Sequence, residues 1–241
     1  MNRLPNCHVF LASLAPWRLI FLEASVELFP ILLSLRVATL STILAGLFGV
    51  GLAWLLTRRR FPGRTLLESV VVLPLVLPPT VVGFYLLLLL GRSGPLGASL
   101  EAAGLEIVFT WKAAVIAATV ASLPLVVKAA QAAFESVDPR IEAAARTLRP
   151  AASVFLTVTL PLAWRGILAG LILAFARGMG EFGITLMLAG SIPGRTQTLP
   201  LAIYDAVQAN DLAQANALAL TTIAIVSILL FVLSRLPRVR L

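Results

Sequence analysis

The chain reads as an all-α, polytopic membrane protein with about five transmembrane helices. Three observations carry this. Of its 241 residues, 59% are apolar and only 12% are charged, whereas a soluble domain carries about 25% charged residues. Mean hydropathy is +0.98. Long uncharged runs recur at intervals that leave only short segments between them.

Each expected span follows from the rule that crossing a bilayer takes about 20 mostly apolar residues. Residues 37–57 hold 21 without a charge, and 69–91 hold 23. A third, shorter run lies between Lys112 and Lys128 and can extend back through 107–111. Residues 166–190 are apolar except for Arg177 and Glu181, and 212–234 are again uncharged. The domain expectation is one transmembrane unit over 31–241 with an N-terminal extension over 1–30. In that extension 8–15 is a short apolar run after a basic start, with a weak signal-peptide-like end. Glu23 and Glu27 argue against a sixth span over 20–29, which favours an interfacial helix.

Charge sets the orientation. Twelve basic residues flank one side: Arg58, Arg59, Arg60 and Arg64; Lys128, Arg140, Arg146, Arg149 and Arg165; Arg235, Arg238 and Arg240. Only Arg92, Lys112 and Arg195 fall in the opposite loops between spans. By the positive-inside rule the N terminus is outside and the C terminus cytoplasmic. The net charge of +8 is then a topology signal facing anionic lipid rather than a nucleic-acid footprint.

Several chemistries are excluded. One cysteine, Cys7, allows no internal disulfide, and Cys7 with His8 is too few ligands for a zinc site. No G-x-x-x-x-G-K-[ST] is present to cradle ATP phosphates. A single histidine offers no Ser/His/Asp or Cys/His arrangement. Residues 178–183, GMGEFG, match G-x-G-x-x-G but lie inside an apolar span without the strand and helix that a dinucleotide site needs. The chain is expected to be no enzyme by itself and to need no cofactor.

Three segments invite a functional reading. VVLPLVLPPTVVGF contains Pro74, Pro78 and Pro79, each of which removes a backbone donor. The result is a packing kink or a lined pathway, with the Thr80 hydroxyl available to face it. In FARGMGEFGITLMLAG, Arg177 and Glu181 are four apart and share a helix face. They read either as a neutralising structural pair or as part of a pathway. Gly166 and Gly170 make a GxxxG close-packing surface.

The third segment is 140–161, RIEAAARTLRPAASVFLTVTLP, a charged, Ala-rich stretch on the cytoplasmic side between two spans. Asp138 is placed to N-cap a helix with Pro139 at its first position. Glu142 suits the helix dipole, and Pro150 ends the helix near Leu148. Such a helix fits either a partner's groove or the bilayer surface.

At these residues the chain resembles the integral-membrane permease subunits of ABC importers. Glu142-Ala143-Ala144, then Val158, Leu160 and Pro161, fit their cytoplasmic EAA loop, here 138–161. The loop glycine is absent, and Leu148-Arg149-Pro150 takes its place. The resemblance implies a type I importer permease fold and a coupling helix that inserts into an ATPase subunit through Glu142, Ala143, Ala144, Thr147 and Leu148. The match narrows over 73–87, 147–161 and 173–208, which look like the molybdate permease family and cover, with their surroundings, roughly 30–236. Implied with it are an inner-membrane location, a second copy of the chain, a dimer of ABC ATPase subunits, a periplasmic molybdate-binding protein, membrane lipid and no nucleic acid. Pathway or gate residues are expected at Pro78, Pro79, Thr80, Arg177, Glu181, Phe182, Gly183 and Thr185. Sulfate or tungstate is the alternative cargo. A secondary transporter would need its own coupling-ion site and usually inverted repeats, and neither is evident.

Overall fold

The computed structural model describes residues 28–59 and 61–234. Readings at Cys7, His8 and 8–15, and at Arg60, Arg235, Arg238 and Arg240, lie outside the described residues. The chain forms α1 Leu28–Arg58, α2 Arg64–Val76, α3 Pro79–Leu90, α4 Gly97–Ala102, α5 Trp111–Glu135 and α6 Pro139–Arg146. A short α7 Ala151–Val154 runs through a π-helical turn, Phe155–Thr159, into α8 Leu160–Met179. Then come α9 Gly183–Ala189, α10 Leu199–Gln208 and α11 Leu212–Ser234. Among the described residues there is no strand.

Helices α1, α5 and α8 make the central bundle. Its interior is built from small residues: Ala38, Ala45, Ala53, Ala114, Ala118, Ala121, Ala130 and Ala174 are all buried. Large apolar side chains such as Leu47, Phe48, Leu88 and Phe231 are more than half exposed. This inverts the pattern of a soluble protein. In lipid the outward leucines cost nothing, and backbones gain contact by approaching over small residues. The GxxxG expectation holds: a Cβ on Gly166 would lie 2.7 Å from Ala133 Cβ, and one on Gly170 2.5 Å from Ala129 Cβ.

The packing clusters give the helix directions. Leu33 and Val37 at the start of α1 meet Ala113 and Ala114 at the start of α5. Leu56 near the end of α1 meets Phe134 near the end of α5 and Ala163 early in α8. So α1 and α5 run parallel and α8 runs against them. Arg58, Arg64, Arg140, Arg146, Arg149 and Arg165 therefore gather at one end, the basic end.

Among the described residues three helices are long and apolar enough to cross a membrane: α1, α5 and the continuous run Ala151–Met179. The expected second span, 69–91, is not one helix. It is α2 and α3, bent by 116°. Together they still carry the chain across, because Val71 packs at the basic end and Leu90 at the opposite end. Pro74 sits inside α2 without breaking it. The break falls at Leu77, which is extended, and Pro78, which is also out of helical geometry, where two consecutive prolines leave no donor to continue the ladder.

Other expected boundaries shift for physical reasons. The first span starts at Leu28 rather than 37, because Arg36 need not end it: its guanidinium lies over the Trp111 ring at 4.0 Å. Two residues of the expected interfacial stretch 20–29, Leu28 and Phe29, already belong to α1. The third span starts at Trp111 and extends forward to Glu135; the rest of the expected backward extension, 107–110, is loop. The fourth begins well before 166 and breaks after Met179, where Gly180 and Phe182 leave helical geometry. The fifth, Leu212–Ser234, lies where the hydropathy placed it.

Candidate functional site

Helix α6 is built as its sequence dictates. Asp138 Oδ1 accepts the Arg140 N–H at 2.8 Å, and Pro139 occupies the first turn. The helix ends at Arg146, slightly before the expected 148. The turn that follows needs no glycine. Thr147 is right-handed, the Thr147 hydroxyl donates to Ala144 O at 2.7 Å, and Arg149 N–H donates to Ala145 O at 3.1 Å. Pro150, extended, then opens α7. A right-handed turn closed by a threonine thus replaces the left-handed one that glycine supplies.

The five expected coupling residues divide. Ala143, Ala144, Thr147 and Leu148 are exposed on the outer surface of the basic end, Leu148 at 85%. Ile141, which was not singled out, is exposed beside them. Glu142 instead faces inward and is only 3% exposed. Its Oε1 accepts from Arg58 Nη2 at the end of α1 and from the Thr159 hydroxyl at 2.9 Å. Its Oε2 lies 3.6 Å from Arg146 Nη2. Nothing in the 139–146 pattern announces this, because the partners lie 84 and 17 residues away.

The second candidate site lies where two broken helices meet. A Cβ on Gly183 would stand 2.7 Å from Pro79 Cβ, and one on Gly83 would stand 2.8 Å from Met187 Cβ and 3.1 Å from Ile184 Cα. Glycine at both positions lets α3 and α9 lie against each other from their first turns. The structure thus brings Pro78, Pro79, Thr80 and Gly183 together, with the first three exposed. Thr185 is 1% exposed, so in this conformation its hydroxyl faces protein.

Glu181 has two duties here. Its Oε1 accepts the Ile184 N–H at 2.8 Å, capping α9. Its Oε2 is an ion-pair partner of Arg177 Nη1 at 2.6 Å, off hydrogen-bond alignment. The Glu181 side chain is 1% exposed and that of Arg177 30%. Phe182 turns the other way, onto Tyr204 at 5.2 Å between ring centroids. With Pro200, Ile203 and Val207 these rings line a shallow apolar hollow of about 390 Å³.

At the end opposite the basic one, the three minority cations converge. Arg92, Glu101, Glu106 and Arg195 line one hollow of about 550 Å³, and Lys112 joins Arg195 around its neighbour. Arg92 pairs with Glu101 at 3.2 Å and Glu106 at 3.4 Å. The 191–198 loop that presents Arg195 is tied down from within. Gln197 Nε2 donates to Asp205 Oδ2 at 2.6 Å, Thr196 Oγ1 donates to Gly190 O at 3.1 Å, and Leu199 N–H donates to Ser34 Oγ at 2.7 Å.

Residues 45–239 match the family model described as "Binding-protein-dependent transport system inner membrane component". The chain is 46% identical over 212 residues to the "Molybdenum transport system permease protein ModB" of Escherichia coli (strain K12), covering 87% of this chain and 93% of the relative. It is 46% identical over 185 residues to the protein of the same name from Haemophilus influenzae, covering 76% and 81%. The "Sulfate transport system permease protein CysT" of Salmonella typhimurium is 36% identical over 204 residues, covering 84% and 74%. Among solved structures, a chain of the MetNI methionine ABC transporter in an inward-facing conformation superposes with a TM-score of 0.65 at 15% identity, covering 91% of this chain and 95% of that one. That likeness extends to the fold.

Proposed function

The chain belongs to the family of binding-protein-dependent transport system inner membrane components, and from that premise we propose that it is the membrane permease of an ATP-driven importer of molybdate. The observation that carries the cargo is the 46% identity to molybdenum permeases over 87% of the chain, against 36% to a sulfate permease. The basic end faces the cytoplasm, as the segregation of arginines supports. Two copies of the chain enclose the pathway between them, and a periplasmic binding protein delivers the anion to the opposite end.

ATP is hydrolysed by a separate partner that docks on α6. The exposed face of Ile141, Ala143, Ala144, Thr147 and Leu148 supports this: small side chains allow close approach and Leu148 supplies an apolar anchor. When the partner's nucleotide domains close, they carry α6 with them, and the bundle changes between inward- and outward-open states. Each ligand acts only through its preference for one of those states.

The breaks at 77–79 and 180–182 are where the pathway passes. A half-helix that starts inside the bundle exposes backbone polar groups to a passing ion, where an unbroken helix would not. Arg177 is held by Glu181, so it is not a free cation for a dianion to lodge against. Weak contact suits rapid release, and selectivity then rests mainly on the delivering protein.

Uptake of labelled molybdate by proteoliposomes holding the chain with its ATPase and binding protein tests the proposal. ATP-dependent uptake, displaced by tungstate before sulfate, is the expected result. Uptake driven by an ion gradient without any ATPase would refute the importer reading. Displacement by sulfate ahead of molybdate would move the cargo to sulfate.

A further inference from the structure

Glu142 is the acidic residue of a segment whose neighbours all point outward, yet it is buried among parts of its own chain. Besides Arg146 of its own helix, its partners belong to two different elements. Arg58 ends α1, and Thr159 closes the π-helical turn that leads into α8. Arg58 also donates to Phe134 O near the end of α5 at 3.3 Å. One carboxylate and one guanidinium therefore tie α6 to all three helices of the central bundle. Beside this contact an aromatic cluster holds the π turn to the other two helices: Trp54 of α1 lies 5.2 Å from Phe155 of the π turn, and Phe134 of α5 lies 5.9 Å from the same ring.

The geometry points to a force-transmitting joint: Arg58 and Thr159 are positioning residues that lock α6 to the bundle through Glu142. This rests on the reading of α6 as the docking helix. It assigns Glu142 a different task from its exposed neighbours, since a side chain 5% exposed has no free edge to offer an ATPase. The physical case is one of stiffness. Outside this joint, α6 is connected to the bundle by the two short segments 136–138 and 147–150, and a short helix on such hinges could rotate when pushed. Breaking the contact strands the buried Glu142 carboxylate away from water with only the more distant Arg146 guanidinium beside it, so the contact holds its geometry. The π turn contributes the last partner. Such a turn accommodates one extra residue in the helical ladder and is a frequent functional feature, and here Thr159, at its end, reaches the carboxylate.

The test uses the full chain reconstituted with its ATPase and binding protein, with labelled molybdate as probe. Arg58→Gln and Glu142→Gln are expected to co-purify with the ATPase within about threefold of wild type and to keep hydrolysing ATP. Molybdate moved per ATP should fall about tenfold, the scale of a coupling energy carried by one contact network. The reversed pair R58E/E142R should recover most of the loss. Unchanged transport per ATP in both single variants overturns the joint. Loss of co-purification that the reversed pair does not restore also overturns it, and marks Glu142 as an ATPase contact instead. If the single variants fail to fold, R58M/E142M leaves no stranded charge. It should assemble but couple poorly, and normal coupling in that variant overturns the inference. Failure of the docking reading shows separately, as wild-type uptake that needs no ATPase.

Discussion

Glu181 gives the most discriminating perturbation, because its two oxygens do separable work. Oε1 caps α9 through Ile184 N–H at 2.8 Å, and Oε2 pairs with Arg177 at 2.6 Å. Glu181→Gln keeps an oxygen for the cap and removes the charge. Glu181→Ala removes both. Losing the cap costs about 1 kcal/mol. Removing one member of a fully buried pair costs about 3–5 kcal/mol, but Arg177 is 30% exposed and so is not sealed inside the bundle, which lowers the cost to about 1–2 kcal/mol. The sums are about 1.5 kcal/mol for Glu181→Gln and about 2.5 kcal/mol for Glu181→Ala. At roughly 2–4 °C per kcal/mol for a chain of this size, they correspond to losses of about 3–6 °C and 5–10 °C. Thermal unfolding of the purified chain in detergent measures both. Equal losses would show that the cap contributes nothing. Losses under 1 °C in both would show that the pair does not hold the break, and the account of 180–183 would fall.

Gly170→Ala places a methyl 2.5 Å from Ala129 Cβ and should cost about 1–3 kcal/mol by overpacking, seen as a lower unfolding temperature; Gly51→Ala, which meets nothing within 4 Å, is the control. Trp111→Leu removes the ring under Arg36 and should cost about 1 kcal/mol, while Arg36→Leu with it should recover part of that in a double-mutant cycle. Leu148→Asp, at a site 85% exposed, should leave the unfolding temperature unchanged yet weaken co-purification with the ATPase at least tenfold, the scale of a lost apolar anchor. Asp138→Ala should lower α6 stability by about 1 kcal/mol through loss of its cap, seen as faster amide exchange over 139–146.

Much of the architecture was legible because the signals are local. The uncharged run 212–234 is a helix over the same residues. Asp138-Pro139 opens a helix because capping needs only the residues at hand. Gly166 and Gly170 announce close packing because small residues four apart have one use on a membrane helix. The misplaced boundaries share a different origin. Arg36 ends a hydropathy window but does not end a helix when an aromatic ring 75 residues away receives it. The α4 and α10 helices, Gly97–Ala102 and Leu199–Gln208, do not show in the sequence pattern: the first is too short to show a period, and the second is a short helix with Pro200 in its first turn.

Composition and sequence alone determined that this chain crosses a membrane, how many apolar runs it uses, which end is basic, and where a helix suited to docking lies between spans. Those properties sum over single residues or nearest neighbours, and no partner in space is needed to compute them. Tertiary structure decided what the charged residues do. It turned Glu142 inward to Arg58 and Thr159, made Glu181 a cap as well as a counter-ion, and folded the proline-rich span into two helices at 116°. The reason is that a charge inside an apolar bundle is fixed by whichever donor meets it first, and that donor can come from anywhere along the chain.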